Sequence, residues 1–286
     1  MRCSTVFRSS GAPLYGTATI GNGYLFLPVP IHAWGGNAIN GRWASPDMQK
    51  LIDEITEEGI RVRLYDPKEL PEDRAFFFSR MKYSGNLIEN LRSFGFRVLD
   101  TPGNTLVFIC VHGKRDACCA LFGQNSFVEA SKKYNKKDGV EIFRCSHLGG
   151  DRFAGTGIVF PSGNMYGKFE GSDIIDIIKS ELNFRIHHEK FRGCIFEDKS
   201  SQIVRYAAAR LLGQCEHRLH IEVIQDITVS PSGEITIIAT IKEKIFVIRL
   251  INLDFEIAPD CRTLIKSGTS IQKSLVVRCI EEKMTR

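Results

Sequence analysis

The sequence lacks any long uninterrupted hydrophobic run. No window approaches about eighteen consecutive apolar residues, and residues 1–16 contain no apolar core of signal-peptide length. We therefore expect neither export nor a membrane-spanning helix. Runs of like charge are absent too: 38 basic residues stand against 33 acidic ones, which leaves a formal charge of only +5. A surplus this small and this evenly spread does not indicate a nucleic-acid partner.

The cysteines form neither a disulfide framework nor a dithiol motif. Nine are present, an odd number without the spacing of a short disulfide-rich domain, and no Cys-x-x-Cys sequence occurs. A thiol–disulfide enzyme with a low-pKa leading thiol is therefore not indicated. No pair of carboxylates suggests hydrolysis of a glycosidic bond either. Unpaired cysteines favour a reducing cytoplasm, where thiols stay available for metal or redox chemistry.

The chain is long enough for two or three compact domains. It has 286 residues, of which 43% are hydrophobic, and no low-complexity linker divides it. Changes in periodicity predict an N-terminal α/β domain over 1–100, a central domain over 101–195, and a helix with an antiparallel β appendage over 196–286. In the first of these, a β-α-β-β-α order suggests a degenerate thioredoxin-like unit without a site.

The central third has the clearest pattern. Thr105–Cys110 is a short apolar run typical of a central strand, and helical sequence follows through Tyr134. Val140–Cys145 is the next strand, and a hairpin is expected over 157–168. An amphipathic helix then begins near residue 172. This order, β-α-β-loop-β-β-α, predicts an α/β fold with a thioredoxin-like central domain.

Thiols cluster where the first of these strands ends. Cys110 closes the strand, and Cys118 and Cys119 follow in predicted helical sequence. The loop between Cys110 and Cys119 is long enough to fold back, so both sulfurs could meet one ion or one iron of a cluster. Cys118 and Cys119 diverge by about 100° around a helix axis, so only one of them is expected at such a site. The other is interpreted as packing.

A second segment supplies an imidazole and a carboxylate. His147 and Asp151 flank Gly149 and Gly150. Glycines permit close backbone approach, and their amides can donate hydrogen bonds to cluster sulfides. Together with the thiols, these side chains predict a site for a soft metal or an iron–sulfur cluster.

Both segments lie in motifs that resemble the two signatures of the sucrase/ferredoxin-like family. The motifs are Cys110-x-His112-Gly113-x-Arg115-Asp116-x-Cys118-Cys119 and Ser146-His147-Leu148-Gly149-Gly150-x-Arg152-Phe153-Ala154. The resemblance extends through Gly16-Thr17-Ala18, Trp34-Gly35, Val159-x-Pro161-x-Gly163, Tyr166-Gly167 and Arg192-Gly193. It implies a thioredoxin-like ferredoxin domain whose 2Fe-2S cluster is held by two cysteines, at Cys110 and Cys119, and by two histidines, the first at His147.

The second of these histidines corresponds to position 151, where this sequence has Asp. A carboxylate is a harder, charged ligand, which would favour the oxidised cluster and lower its reduction potential. Three outcomes follow: Asp151 is the fourth ligand, a thiol of Cys145 or Cys118 replaces it, or the site takes no cluster. Cys145 is the favoured substitute, because residues two apart in an extended chain share a face and Cys145 would lie on the side of His147.

These patterns predict a cytoplasmic one-electron carrier or redox sensor, rather than a catalyst, that meets an unidentified redox partner protein. No nucleic-acid or membrane partner is expected, and the sequence does not define an oligomeric state. A structural zinc or thiol-redox module on the same residues is the alternative, since two cysteines, a histidine and an aspartate suit zinc equally well. Cys3 is expected to be an exposed thiol. The cysteines interpreted as packing are Cys118, Cys194, Cys215, Cys261 and Cys279.

Overall fold

Helices and strands alternate through the first hundred residues. The computed structural model describes residues 2–39, 41–67, 73–79, 85–100, 103–213, 215–217, 219–231 and 233–283. The elements of this first part are α1 (Cys3–Ser9), β1 (Gly23–Pro28), α2 (Pro46–Glu57), β2 (Ile60–Tyr65), β3 (Arg74–Ser79), α3 (Gly85–Ser93) and β4 (Arg97–Leu99). Helix α2 begins after Ser45, whose side chain accepts a hydrogen bond from the Met48 amide, as its Ser-Pro start predicts.

The remaining elements follow the predicted order. In the central part they are β5 (Thr105–Cys110), α4 (Ala117–Lys133), β6 (Val140–Cys145), β7 (Gly157–Phe160), β8 (Asn164–Tyr166), α5 (Asp173–Leu182) and β9 (Phe191–Cys194). In the last part they are α6 (Lys199–Leu211), β10 (Ile221–Val229), β11 (Ile235–Ile241), β12 (Lys244–Ile257), α7 (Cys261–Ser267) and β13 (Ser270–Glu282).

One mixed sheet runs through the first two thirds of the described chain. Its nine strands stand in the order β4-β3-β1-β2-β6-β5-β7-β8-β9. β1 is parallel to β2 and antiparallel to β3, and the short β4 adds to β3 in parallel. The two halves of the sheet meet at β2 and β6, where Tyr65 pairs with Cys145. The predicted domain boundary near residue 100 therefore falls between strands of one continuous sheet and stays a prediction.

The central part has the predicted thioredoxin-like arrangement. β5 and β6 are parallel and joined through α4. On the other side of β5, β7 pairs with β5 in antiparallel orientation, and β8 pairs with β7 in the same way. The helix α5 follows the β7–β8 hairpin. The α/β fold class is thus confirmed. What the pattern missed here is β9, a four-residue edge strand that pairs with β8.

A separate four-stranded antiparallel sheet closes the chain, in the order β10-β11-β12-β13. It confirms the β-rich C-terminal appendage. Helix α6 is buried on most of its surface and packs against both β9 and β10, so it lies between the two sheets. Apolar residues of both sheets, such as Ile109 and Ile248, consequently belong to one hydrophobic cluster.

The structure extends the predictions at both ends of the chain. α1, β4 and β13 are absent from the sequence interpretation, and β12 continues to Ile257 rather than ending at Leu250. β13 is half-exposed along most of its length, so it lacks the alternating apolar pattern from which a strand is recognised. Among the described residues, no helix is both long enough and apolar enough to cross a bilayer.

Candidate metal centre

Both predicted ligand segments begin at one edge of the sheet. β5 ends at Cys110 and β6 ends at Cys145, and these two residues are paired in the parallel register. Parallel neighbours end at the same edge, so the loops that follow them start side by side. Strand pairing therefore brings the loop after Cys110 next to the loop that carries His147.

Helix α4 is held tightly against the end of β5. Asp116 caps the helix, since its side chain accepts a hydrogen bond from the Cys118 amide at 2.8 Å. A Cβ at Gly123 would lie 1.9 Å from the carbonyl oxygen of Cys110. Only glycine permits this close approach, which sets the first turn of α4, and with it Cys119, beside Cys110.

The first thiol group consists of Cys110, Cys119 and His147. Their two sulfurs and one ring nitrogen all lie within 4.8 Å of one another, and Cys119 Sγ is 4.0 Å from His147 Nδ1. Both cysteines are fully buried, while the His147 side chain is 20% exposed. The group is thus a compact donor set for a soft transition metal, with its imidazole edge toward solvent.

Asp151 adds an oxygen beside this group. Its Oδ1 lies 3.8 Å from Cys119 Sγ and 3.3 Å from His147 Nδ1, whereas its Oδ2 lies 3.5 Å from Arg115 Nε. Burial raises the pKa of the Asp151 carboxyl, and the neighbouring His147 opposes that rise. One carboxylate oxygen therefore faces the thiols while the other is paired with Arg115.

The two thiols of the group are chemically different. Cys119 donates a hydrogen bond to Cys110, which lowers the pKa of the Cys110 thiol against the opposing effect of burial. His147 and the His112 amide also donate to the Cys110 sulfur. The pKa of Cys119 is raised, chiefly by its hydrogen bond with Cys110 and by burial. The interaction thus favours ionisation of Cys110 over Cys119, and the thiolate is the form that binds metals.

The loop that carries His147 and Asp151 depends on glycine. Gly149 and Gly150 have φ of 97° and 79°, and a Cβ at Gly150 would lie 2.2 Å from the Phe153 ring. The sequence predicted close backbone approach at these glycines, and the structure shows that it is the Phe153 ring that lies against Gly150.

A buried arginine anchors the same loop. Arg192 Nη1 donates to the Gly149 carbonyl at 3.0 Å, and Nη2 donates to the Thr17 carbonyl at 2.6 Å. Burial lowers the pKa of Arg192 to about 9, while the charges of Cys110 and Cys119 act in the opposite direction. The guanidinium thus lies within electrostatic range of both sulfurs and would offset negative charge that develops on them. Arg192 was noticed only as part of a motif, because nothing in the sequence connects residue 192 to the loop.

His147 also lines a cavity of about 230 Å³ that includes Arg63, His112 and Arg115. The His112 ring is buried there, and its Nε2 lies 2.7 Å from the Gly35 carbonyl oxygen. His112 therefore anchors the loop after Cys110 to the Gly35 carbonyl. The cavity places basic and imidazole side chains next to the exposed edge of the first thiol group.

A model of the sucrase/ferredoxin-like family matches residues 14–193. The matched segment is more than half of the chain and contains both ligand loops together with Arg192. The chain belongs to the sucrase/ferredoxin-like family. The resemblance that the two motifs predicted is thereby confirmed.

Two comparisons name individual proteins. "Altered inheritance of mitochondria protein 32" of Meyerozyma guilliermondii is 30% identical to this sucrase/ferredoxin-like chain over 158 residues, which are 52% of this chain and 55% of that protein. This chain therefore spans about half the length of the curated relative. A solved structure of a variant of the thioredoxin-like 2Fe-2S ferredoxin from Aquifex aeolicus aligns with 30% of this chain and 96% of its own, with 17% identity and a TM-score of 0.27.

Cys118 turns away from the first thiol group, as the angle between successive helical residues predicts. Its sulfur belongs to the second thiol group, which consists of Cys3, Asp116, Cys118 and Cys261, with ligand atoms all within 4.8 Å of one another. The structure thus places Cys118, one of the predicted substitute ligands, in a different cluster from Cys119.

The second thiol group corrects the interpretation of Cys3 as an exposed thiol. Cys3 is completely buried, because α1 packs against the short turn at 151–153 and against β12. Cys3 lies 115 residues before Cys118, and Cys261 lies 143 residues after it. The Cys118-Cys119 doublet is the one feature of the sequence that points to the second thiol group. Cysteines separated by more than a hundred residues form no recognisable motif.

Cys145, the favoured substitute ligand, is fully buried beside Cys110 on the adjacent strand. It lies in a cluster of apolar side chains that includes Phe108 and Phe143, and burial raises the pKa of its thiol. Its sulfur lies outside the compact donor group, whose described ligand atoms are those of Cys110, Cys119 and His147. Asp151, with one oxygen beside His147, is the better-placed fourth donor, and the ligand role of either residue stays a prediction.

Proposed function

We propose that this chain holds a 2Fe-2S cluster at the first thiol group and acts in one-electron transfer or redox sensing. The observation that carries this function is the convergence of Cys110, Cys119 and His147 at one edge of a thioredoxin-like unit. Membership of the sucrase/ferredoxin-like family supports it. The donor set fits the cluster, because buried thiolate and imidazole are the ligands that iron–sulfur centres use. When bound, a 2Fe-2S cluster supplies a reversible one-electron couple.

The surrounding residues have distinct roles in this function. Asp151 is proposed as the fourth ligand through Oδ1, held in place by the ion pair between its Oδ2 and Arg115. Arg192 fixes the ligand loop and offsets the charge of the thiols. His147, at the edge of the cavity, is the point of closest approach for a partner.

The proposed partner is a redox protein, rather than a nucleic acid or a membrane. The proposed location is the cytoplasm, because all nine cysteines carry free thiols, as expected in a reducing compartment.

A single zinc ion is the second candidate for the first thiol group. The observation in its favour is that the two sulfurs and the Nδ1 nitrogen lie within 4.8 Å of one another, a span that one tetrahedral ion can bridge. In that case the group would be structural and the chain would carry no electron.

Anaerobic purification with quantitation of iron, acid-labile sulfide and zinc tests this function. We expect red-brown protein with two irons and two sulfides per chain, bleached by reduction. Cys110→Ser and Cys119→Ser should each remove the iron, since each deletes a thiolate ligand. Cys194→Ser is the matched control: its buried thiol contacts the Ser162 carbonyl at 3.5 Å, away from the group, and iron should be retained.

Iron that persists in Cys110→Ser would contradict the ligand assignment. Colourless wild-type protein whose zinc leaves in Cys110→Ser would favour the second candidate. Asp151→Ala tests the first of the three outcomes for the fourth ligand, because a variant with unchanged spectrum and potential would show that Asp151 does not ligate.

A further inference from the structure

The second thiol group brings three thiols and a carboxylate together at one place. We propose that Cys3, Cys118, Cys261 and Asp116 bind one structural zinc ion. This site uses none of the side chains of the first thiol group, so it stands whether or not a cluster is present there.

The spacing of the ligand atoms suits one tetrahedral ion. The sulfur–sulfur distances are 3.7 Å for Cys3 and Cys118, 3.3 Å for Cys118 and Cys261, and 3.4 Å for Cys3 and Cys261. Asp116 Oδ2 lies 3.9 Å from Cys3 Sγ. Zinc–sulfur bonds of about 2.3 Å at tetrahedral angles separate two sulfurs by about 3.8 Å. The spacing of the three sulfurs is therefore close to that of thiolates around one tetrahedral zinc ion, and the carboxylate oxygen lies beside them.

The site is closed in the manner of a structural zinc centre. Cys3 and Cys118 are fully buried, Asp116 is 4% exposed, and Cys261 is partly buried. Four protein ligands without an open position are typical of zinc that stabilises a fold rather than zinc that catalyses.

Backbone amides hold the ligands in place. Asp116 accepts hydrogen bonds from the amides of Cys118, at 2.8 Å to Oδ1, and of Cys261, at 2.9 Å to Oδ2. The Ser4 amide donates to the Cys118 sulfur, and the Cys3 amide donates to the Cys261 sulfur. Hydrogen bonds of this kind orient metal ligands and offset the charge of thiolates.

A disulfide accounts for this cluster less well. Three thiols cannot all pair, the sulfur–sulfur distances exceed the bonded value of about 2.05 Å, and a disulfide has no use for the Asp116 carboxylate. Packing alone would put three polarizable thiols around a buried carboxylate, and none of the four group members is a cation. Zinc resolves both difficulties: it displaces the three thiol protons to solvent and balances part of the resulting charge.

The ion would join three distant parts of the chain. Cys3 begins α1, Cys118 lies in the first turn of α4, and Cys261 begins α7. Zinc at this point would fasten α1 and α7 to the helix that carries Cys119. The ordering of α1 and α7 would then depend on metal.

The experiment isolates the second group by disabling the first. A Cys110→Ser/Cys119→Ser double variant is loaded with zinc or cobalt(II), freed of loosely bound metal by gel filtration, and assayed for metal. We expect one equivalent of zinc, and intense visible absorption of tetrahedral cobalt thiolate. Adding Cys261→Ser should abolish retention of the metal. Adding Cys279→Ser, a thiol on β13 outside both groups, should not.

Asp116→Asn tests the carboxylate without removing the helix cap, since Asn caps as well as Asp. Circular dichroism should stay unchanged while the cobalt spectrum shifts and zinc is released at least tenfold more readily to a chelator. A double variant that retains no zinc, a Cys261→Ser variant that retains it fully, or a Cys118–Cys261 disulfide found by mass spectrometry in freshly isolated protein would each overturn the zinc site.

Discussion

The two thiol groups lie on adjacent residues of one helix yet are assembled in different ways. The first group is built from two loops of one β-α-β unit, and its residues fall within the segment that matches the family. The second draws Cys3 and Cys261 from outside that segment and from opposite ends of the chain. Local topology therefore suffices for the first group, whereas the second forms only once the terminal helices have docked.

The largest expected effect comes from Gly123→Ala, which should disturb both groups at once. A Cβ there would overlap the Cys110 carbonyl, so α4 must move and carry Cys118 and Cys119 with it. We expect the free energy of unfolding to fall by about 3 kcal/mol, and retention of metal at both groups to weaken. Denaturant unfolding and metal analysis measure the two effects.

Ser126→Ala is the control on the same helix. Ser126 is buried and its hydroxyl has no hydrogen-bond partner among the described residues, so stability should change by less than about 0.5 kcal/mol. If Gly123→Ala were as stable as this control, the close approach of α4 and β5 would not be what sets the two groups.

Asp151→His should affect the first thiol group and leave the second unchanged, because it alters the donor set of the first group alone. It introduces the histidine that the family pattern has at this position. Replacing a charged ligand by a neutral one should raise the reduction potential by on the order of 100 mV. Redox titration of the reconstituted protein measures the shift. An unchanged potential with the cluster intact would remove residue 151 from the ligand set, and zinc at the second group should be unaffected in either case.

Arg192→Lys should weaken the first group with a smaller effect on stability. Lysine keeps a positive charge but loses the fork that binds Thr17 and Gly149, so we expect a loss of about 2 kcal/mol and reduced retention of iron.

Arg205→Lys is the comparison variant for Arg192→Lys. Arg205 is a buried arginine of α6 that is paired with Glu197 and belongs to neither thiol group. It should cost a similar amount of stability without loss of iron or zinc. Equal iron content in both arginine variants would contradict the role given to Arg192.

The smallest expected effect is the pH dependence of a charge pair outside both groups. Burial alone would raise the pKa of Asp173, but hydrogen bonds from Lys190 at 2.6 Å and from the Glu170 amide lower it. Because the folded-state pKa is depressed, this contribution is present above the unfolded pKa of about 3.9. It is lost as the pH falls through the folded value.

The corresponding variant is Asp173→Asn. It should lower stability by less than about 1 kcal/mol near neutral pH, since the pair is partly exposed, and by nothing at strongly acidic pH. Urea unfolding at several pH values measures this difference. A loss of metal in this variant would show that distant charges, and not only the ligand loops, control the two groups.

The sequence predicted best those features that depend on residues close together in the chain. The strand that ends at Cys110, the helix after it and the hairpin over 157–168 depend on neighbouring residues, so periodicity and glycine placement marked them. β13 and α1 are half-exposed or short, and their positions are set by partners elsewhere in the chain. Cys3 was therefore misjudged, and the burial of Arg192 was not foreseen.

The sequence alone determined the family and the α/β class and marked the two loops proposed to carry ligands, because these depend on residue types within short segments. Tertiary structure decided which thiols meet: Cys119 with Cys110 and His147, and Cys118 with Cys3 and Cys261. Helical geometry separates the adjacent cysteines by about 100°, but only the packing of α4 on β5 and of α1 on the 151–153 turn fixes what each sulfur faces. Contacts between residues more than a hundred positions apart leave no local pattern, so only the folded chain reveals them.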